Sequence, residues 1–321
     1  MKLLITGATG FIGQNLCVAA LAQNYSISAT MRPTSNPDLL PAGVERISID
    51  SVATTLPENA LANVDVVIHL AARVHVMKDV DRDPLTAYRQ INTIATLSLA
   101  RQAAEQGVKR FIYVSSIKVN GEGSARSYTE QDSAQPGDPY GQSKWEAEQG
   151  LQEIAAATGL EIVIIRPPLV YGPKVKGNLQ QLLKAIESGL PLPLGAVQNR
   201  RSLVYVGNLV DAILTCVSHP AAKNQTFLVS DGEDLSTPEL IRRLAAHARK
   251  VSGNRAKLFT LIPIPPRLLI SIGKLTGKAD SVDKLLGSLT VDSTHIQKTL
   301  NWHPPFTVDQ GLDETVRYWG D

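Results

Sequence analysis

Apolar positions along the chain fall into short β-rich runs separated by longer stretches of helical period. Leu3 to Thr6, Ser26 to Met31, Glu45 to Ile49, Val64 to Leu70, Arg110 to Ser115 and Glu161 to Arg166 read as strands. Within them, Val64-Asp65-Val66-Val67-Ile68 and Ile162-Val163-Ile164-Ile165 are continuous apolar runs rather than alternating ones. Such runs belong to central strands buried on both faces. Between the strands, Asp83-Pro84 opens a helical pattern that runs through Gln106 and stops at Gly107. Pro139-Tyr140 opens another that runs to about Thr158 and stops at Gly159. Proline early and glycine late is the expected asymmetry of helix ends. The alternation predicts an α/β fold, a doubly wound parallel sheet covered by helices on both faces.

After Arg166 the pattern changes. Pro167, Pro168, Gly172, Pro173, Gly189, Pro191, Pro193 and Gly195 break the chain into short elements, which predicts a second, smaller mixed lobe. Strand-like runs at Ser202 to Val206 and Thr226 to Ser230 suggest brief returns to the sheet. Ser236-Thr237-Pro238-Glu239 reads as a helix N-cap with Pro near the first turn. The expected division is a sheet domain over 1–173 with returns at about 202–231, and a lobe made of about 174–201 and 232–321.

Composition narrows the class. A length of 321 residues suits about two units, and 43% hydrophobic with 19% charged residues excludes long disorder and low-complexity architectures. A net charge of +2 is far from the basic balance of a protein that binds nucleic acid through its phosphates. Cys17 and Cys216 form no Cys-x-x-Cys pair, and the six histidines show no i, i+3 or i, i+4 spacing. Neither a disulfide framework nor a metal site is expected. The apolar start Leu3-Leu4-Ile5 is cut short by Thr6-Gly7, too early for a secretory signal, and no apolar run approaches the ~18 residues of a membrane span. The expected location is the cytoplasm.

The first strand runs directly into Gly7-Ala8-Thr9-Gly10-Phe11-Ile12-Gly13. Glycines at this spacing allow a tight turn, let the backbone approach a pyrophosphate and let the following helix pack closely on its strand. The helix N-terminus then presents unpaired N–H groups to the phosphates. Strand, turn and helix in this order point to a Rossmann dinucleotide site. About 20 residues on, where an acid would bind the adenosine ribose of NAD, the chain reads Thr30-Met31-Arg32-Pro33. An arginine there accommodates a 2′-phosphate, so NADP(H) is favoured and NAD(H) is the alternative.

Tyr140 and Lys144 share one helix face. Reduction of a ketone needs a proton for the nascent alkoxide, and a tyrosine with a pKa of ~10 is a slow donor at neutral pH. A lysine cation ~4 Å away contributes about 4 kcal/mol at an effective dielectric near 20, enough to lower the phenol by ~2 to 3 units. Ser115-Ser116 end a strand at the sheet edge where open α/β folds place ligands, so a hydroxyl there can hydrogen-bond the reacting oxygen.

Taken together, Gly7-x-x-Gly10-x-x-Gly13, His69-Leu70-Ala71-Ala72, Asn92, Ser115-Ser116, Tyr140-Gly141-x-Ser143-Lys144 and Arg166-Pro167-Pro168-Leu169-Val170-Tyr171-Gly172-Pro173 resemble the extended short-chain dehydrogenase/reductase superfamily. The likeness is to its NAD-dependent nucleotide-sugar epimerase/dehydratase branch and spans nearly the whole chain. It implies a catalytic triad of Ser116, Tyr140 and Lys144, with Lys144 also holding the nicotinamide ribose. By the same resemblance Phe11, Ile12, Asn92 and Leu70, Ala71, Ala72 and Arg73 line the cofactor, Asp50 meets the adenine and Pro167 borders the nicotinamide. Asn178, Leu179 and Arg201 resemble the positions that contact the uracil and diphosphate of a UDP-sugar, and a homodimer is common in the superfamily.

Departures from the family pattern narrow the expected activity. Dehydratases of this branch carry Thr-Asp-Glu where this chain reads Ser116-Ile117-Lys118, so water elimination is not expected. The usual Tyr-Gly is Asn120-Gly121, and Asp283-Lys284-Leu285-Leu286 stands where an arginine segment often grips the second phosphate. Ser116 to Glu122, His75 to Asp79 and Asn199 to Ser202 are similar to a bacterial polysaccharide (O-antigen) subgroup whose members are often labelled UDP-glucose 4-epimerase and which includes a dehydrogenase that reduces UDP-4-keto-6-deoxy-N-acetylglucosamine. The resemblance therefore implies 4-keto reduction of a UDP-4-keto-6-deoxy-hexosamine. The alternatives are a UDP-hexose or UDP-N-acetylhexosamine 4-epimerase and a non-catalytic cofactor-binding regulator. Arg267 to Leu275, short, apolar and basic at its ends, reads as a helix of the second lobe.

Overall fold

The computed structural model describes residues 1–51, 56–57, 59–74, 83–252, 260–275, 282 and 285–319. The His75 to Asp79 resemblance, and Asp283 and Lys284 of the C-terminal departure, lie outside the described residues. Seven parallel strands form the main sheet: β1 (Lys2–Thr6), β2 (Ser26–Met31), β3 (Val44–Ser48), β4 (Val66–His69), β5 (Arg110–Val114), β6 (Glu161–Arg166) and β9 (Thr226–Leu228). Their spatial order is β3-β2-β1-β4-β5-β6-β9. All six strands expected up to Arg166 are present, with ends differing by at most two residues.

Neighbouring residues on one strand serve two different cores, which explains the continuous apolar runs. Leu3 and Ile5 pack on one face and Leu4 on the other. Val66 and Ile68 likewise oppose Val67, and Ile112 and Val114 oppose Phe111 and Tyr113. Helices α1 (Phe11–Ala22) and α6 (Val206–Ser218) cover the first face. Helices α3 (Ala95–Glu105) and α4 (Pro139–Thr158) cover the second.

The strand order reverses between β1 and β4. The chain steps outward through β2 and β3, then returns to lay β4 on the other side of β1. Connections leaving the C-terminal ends of β1 and β4 therefore diverge to opposite sides, and the crevice between them is where open α/β sheets bind ligands.

Two expectations need correction. The run Ser202 to Val206 does not return to the main sheet. Its strand, β8 (Arg201–Tyr205), pairs in parallel with β7 (Leu169–Tyr171) and antiparallel with β10 (Asp234–Leu235) in a separate three-stranded sheet. Pro167 and Pro168 cause this, because prolines lack the ladder N–H and end β6. The chain beyond them leaves as β7 and takes β8 as its partner, while β9 occupies the free edge of β6. The helix expected from Pro84 to Gln106 is also not uniform: a π-helical turn, Gln90–Ile94, separates α2 (Pro84–Arg89) from α3. That turn buries Asn92.

The remaining described helices are α5 (Asn178–Ser188), α7 (Thr237–Ser252), α8 (Pro266–Leu275), α9 (Thr294–Leu300) and α10 (Val308–Arg317). Ser236 caps α7 by accepting from the Glu239 N–H at 3.2 Å, as its sequence suggests. Asp231, 8% exposed, ties these parts together. Its Oδ1 accepts from the Tyr205 N–H at 2.8 Å and the Asn208 amide at 2.7 Å, and its Oδ2 from the Tyr171 hydroxyl at 2.7 Å. Substituting Asp231→Ala would leave the Tyr205 N–H and one Asn208 amide hydrogen unpaired, each costing about 1 to 3 kcal/mol, while the Tyr171 hydroxyl keeps the Val308 carbonyl at 3.3 Å. The expected loss is on the order of 2 kcal/mol or more in urea unfolding; a change below ~1 kcal/mol would remove Asp231 from this role.

Candidate functional site

The loop after β1 is as tight as its glycines suggest. Gly7 has φ +69, and a Cβ there would meet the Ala71 backbone nitrogen at 2.7 Å. A Cβ on Gly13 would lie 2.3 Å from the Gly7 carbonyl oxygen. The Gly10 N–H donates to that same oxygen at 3.0 Å, and Gly10 is the N-cap of α1 without a side-chain cap. The first N–H groups of α1 are thus left for a ligand beside a backbone with no Cβ in the way. Phe11 and Ile12 are half-buried against the core. The connection after β4, Leu70 to Arg73, forms the other wall, with Ala71 directly behind Gly7. These residues fit the pyrophosphate of a dinucleotide.

Asn92 holds this wall rather than offering a free amide. Its Oδ1 accepts from the Arg73 N–H at 2.8 Å and its Nδ2 donates to the Arg73 carbonyl at 3.0 Å and to Ser143 Oγ at 3.0 Å. Below it, His69 is wholly buried between Thr6 Oγ1 at 2.7 Å and Thr96 Oγ1 at 2.9 Å. Burial, and then the Lys144 charge, push its pKa down to about 3. His69 is a neutral core histidine.

Ser116, Tyr140 and Lys144 come together at the C-terminal end of β5. Ser116 leads into a 3₁₀ turn, Ile117–Val119, and its hydroxyl faces that of Tyr140. The turn is anchored by the Ile117 N–H, which donates to the Pro167 carbonyl at 3.0 Å, so Pro167 borders the same spot. Tyr140 sits in the first turn of α4, half-buried. Lys144, 1% exposed, donates from Nζ to the Val114 carbonyl at 2.9 Å and lies 4.5 Å from the Tyr113 ring centre and 5.9 Å from that of Tyr140. Next to Ser116, Ser115 Oγ is buried with no hydrogen-bond partner among the described residues. An orphaned hydroxyl beside the glycine cradle fits a site built to take a polar ligand.

The electrostatics differ from the expectation that Lys144 lowers the Tyr140 pKa. Burial pushes the phenol well above its ordinary value, and the Ser116 hydrogen bond offsets only part of this. Burial also brings Lys144 down to about 7, against the opposing pull of Glu148. A lysine only half charged at neutral pH gives a weaker attraction than a full cation.

Other expected residues lie farther out. Arg32 follows β2, exposed and without an ion-pair partner among the described residues, and Asp50 is exposed just beyond β3. Both stand at the C-terminal edge of the sheet, beyond β2 and β3. Asn178 is exposed at the start of α5, whereas the Leu179 side chain is buried in the main core. Arg201 is half-buried on β8 and donates to the Gly287 carbonyl at 3.1 Å. Burial holds its pKa below the usual arginine value, against the opposing charge of Glu122.

Sequence reasoning missed the supports of this site. Glu148, four residues after Lys144, is fully buried and accepts from Arg166 twice, from Nε shared between Oε1 at 3.0 Å and Oε2 at 3.2 Å and from Nη2 to Oε2 at 2.5 Å. Arg166 Nη1 donates to Asn120 Oδ1 at 3.0 Å, so the Asn that replaces the family's Tyr is part of this network. Asp138 caps α4 by accepting from the Gly141 N–H at 2.7 Å and pairs with Lys118. An Asp directly before Pro139 was the available signal.

The depressed Lys144 value makes a stability prediction. An unfolded lysine titrates near 10.4, so between pH ~7 and ~10.4 the unfolded chain binds more protons and the fold gains stability as pH rises. Lys144→Met removes this gain. Wild type should gain on the order of 2 to 4 kcal/mol relative to Lys144→Met between pH 6.5 and 9.5. A difference that stays flat across that range would refute the assignment.

Comparison with known proteins agrees with this geometry. Residues 3–230 match the model of the NAD dependent epimerase/dehydratase family. The chain is 45% identical over 98% of its length, and 94% of the relative's, to a Vibrio cholerae protein named UDP-glucose 4-epimerase. It is 30% identical over 99% of its length, and 95% of the relative's, to the N-acetyl-alpha-D-glucosaminyl-diphospho-ditrans,octacis-undecaprenol 4-epimerase of Escherichia coli O157:H7. The fold is shared with a UDP-glucose 4-epimerase of Thermotoga maritima solved with UDP-glucose, at TM-score 0.77 and 23% identity over 99% of this chain and 98% of that one. With a family match across the sheet and site and a full-length relative at 45% identity, the chain belongs to the NAD-dependent epimerase/dehydratase family.

Proposed function

We propose that this protein carries out oxidation–reduction at C4 of a UDP-sugar with a nicotinamide cofactor, and that its net reaction is reduction of a UDP-4-keto-6-deoxy-hexosamine. The observation that carries the proposal is the meeting of Ser116, Tyr140 and Lys144 beside the glycine cradle. When bound there, the nicotinamide supplies the hydride. Tyr140 holds the proton delivered to O4, Ser116 donates a hydrogen bond to that oxygen, and Lys144 lies under the phenol to orient the ribose. Asn178, the backbone of Leu179 and Arg201 are the candidates for holding the UDP moiety. A homodimer is the expected assembly, as the resemblance implies.

Elimination of water is disfavoured because the dehydratase acid positions are Ile117 and Lys118, and Lys118 is engaged with carboxylates. Arg32 favours reduction, since an exchangeable NADPH suits net ketoreduction. A second reading, 4-epimerisation with retained NAD, is favoured by the names of the relatives at 45% and 30% identity.

Incubation with a UDP-4-keto-6-deoxy-hexosamine should consume reduced cofactor in equal amount. Interconversion of UDP-glucose and UDP-galactose without added cofactor would establish the epimerase instead. Tyr140→Phe should lower turnover by at least ~100-fold, the usual scale of general acid–base catalysis, with cofactor affinity nearly unchanged. A variant keeping most of the rate would exclude Tyr140 as the proton carrier.

Cofactor choice has its own test. A guanidinium on a 2′-phosphate is worth about 1.5 to 3 kcal/mol, and exposure places Arg32 in the lower half of that range, roughly tenfold in dissociation constant. Titration should show this preference for NADP(H) and its reversal in Arg32→Asp. Equal affinities in wild type would sink the NADP assignment and return the epimerase to first place.

A further inference from the structure

Ser116 and Tyr140 belong to different elements, the turn after β5 and the first turn of α4, and their hydroxyls must stay within hydrogen-bond reach. One side chain spans the two elements. Lys118, in the same turn as Ser116, pairs through Nζ with Asp138 and with Glu122, the latter at 2.9 Å. Asp138 in turn caps α4 through the Gly141 N–H at 2.7 Å, and Tyr140 lies between cap and capped residue. The two backbones are in close contact, since a Cβ on Gly141 would meet the Lys118 carbonyl oxygen at 2.8 Å. The Lys118 N–H also donates to Ser116 Oγ at 3.3 Å.

Charge matters here as much as geometry. The groups facing Tyr140 are Ser116 from the turn, Asp138 from the cap, Lys144 from its own helix, Tyr113 from β5, and Tyr88 from α2 at 6.1 Å between ring centres, with the Arg73 guanidinium 5.4 Å over Tyr88. Asp138 is a negative charge that opposes formation of a phenolate. Lys144 is about half protonated at neutral pH. Lys118 keeps its full charge: burial works against it, but its hydrogen bonds to Asp138 and Glu122 outweigh burial and raise its pKa.

We propose that Lys118 is a positioning residue of this site, which locks the turn carrying Ser116 to the helix start carrying Tyr140 and cancels the Asp138 charge beside the phenol. The proposal rests on the reading of Tyr140 as the proton carrier. It gives a role to the cation that stands where the family's dehydratases carry an acid.

The test uses the full chain with cofactor and three variants: Lys118→Gln, Asp138→Asn and the double substitution. Asparagine still accepts the cap hydrogen bond, so Asp138→Asn removes charge and leaves the helix start intact. In the pH profile of kcat/KM, Lys118→Gln should move the phenol inflection upward by about half a unit and Asp138→Asn downward by a similar amount, and the double variant should return to wild type. A merely structural lysine would lower the rate or the unfolding midpoint without moving the inflection. Coincident inflections in all four proteins, or shifts of the same sign in both single variants, would overturn the proposal. Failure of wild type on every C4 substrate would instead be a failure of the functional reading. The same ordering is then sought without substrate, from the pH at which the Tyr140 signal begins to move in ¹³C-tyrosine NMR, assigned with Tyr140→Phe; overlapping onsets there would overturn it equally.

Discussion

A lysine buried at the end of β5 is the constraint around which the second face of the sheet is arranged. A lone ammonium in such a place is strongly disfavoured, and the structure responds in two ways. Lys144 gives a hydrogen bond to the Val114 carbonyl and faces the Tyr113 ring, while its pKa falls to about 7. One turn further along α4, Glu148 supplies negative charge and is itself neutralised by Arg166 at the end of β6. Removing either partner of that pair would leave a buried charge uncompensated, a far larger cost than the pair contributes when intact. Strands β5 and β6 and helix α4 are therefore fixed relative to one another by the same side chains that surround Lys144.

The other half of the site is defined by absence of side chains. Gly7 and Gly13 let β1, α1 and the connection after β4 approach to distances that no Cβ would allow. This close approach and the reversal of strand order between β1 and β4 place helix N–H groups on one side of a crevice and the β5 end on the other. Asn92 joins the halves, because the π-helical turn that buries it directs its amide to both Arg73 and Ser143 on α4. A π turn in this position is consistent with the tendency of such turns to occur at functional sites.

The turn after β5 departs from the pattern expected of the family's dehydratases. Ser116-Ile117-Lys118 carries no acid for water elimination, and Asn120 takes a hydrogen bond from Arg166 while donating to the Thr129 carbonyl at 3.1 Å. The substitutions are compatible with one another: Lys118 adds a cation at the cap of α4, and Asn120 closes the network that begins at Glu148. On the proposed reading, redox chemistry at a single carbon needs a proton carrier, an oxygen-binding hydroxyl and a held cofactor, roles that Tyr140, Ser116 and Lys144 would fill.

The sequence by itself determined the sheet, the glycine-rich turn and the shared helix face of Tyr140 and Lys144, because each is written in local pattern: continuous apolar runs, glycines at fixed spacing after a strand, and a pair four residues apart on a helix; Ser116 was joined to that pair by the family resemblance. Helix limits at Pro139 and Gly159 were legible for the same reason. Tertiary structure alone decided what depends on residues distant in the chain. The β7–β8 pairing took Ser202 to Tyr205 away from the main sheet, a choice between partners that strand propensity does not encode. Asp231 gathers Tyr171, Tyr205 and Asn208, and Arg166 reaches Glu148 and Asn120, contacts that span tens of residues. The protonation of the site was decided in the same way. Spacing placed Lys144 beside Tyr140, but burial, which only the packed chain creates, lowered the lysine and raised the phenol.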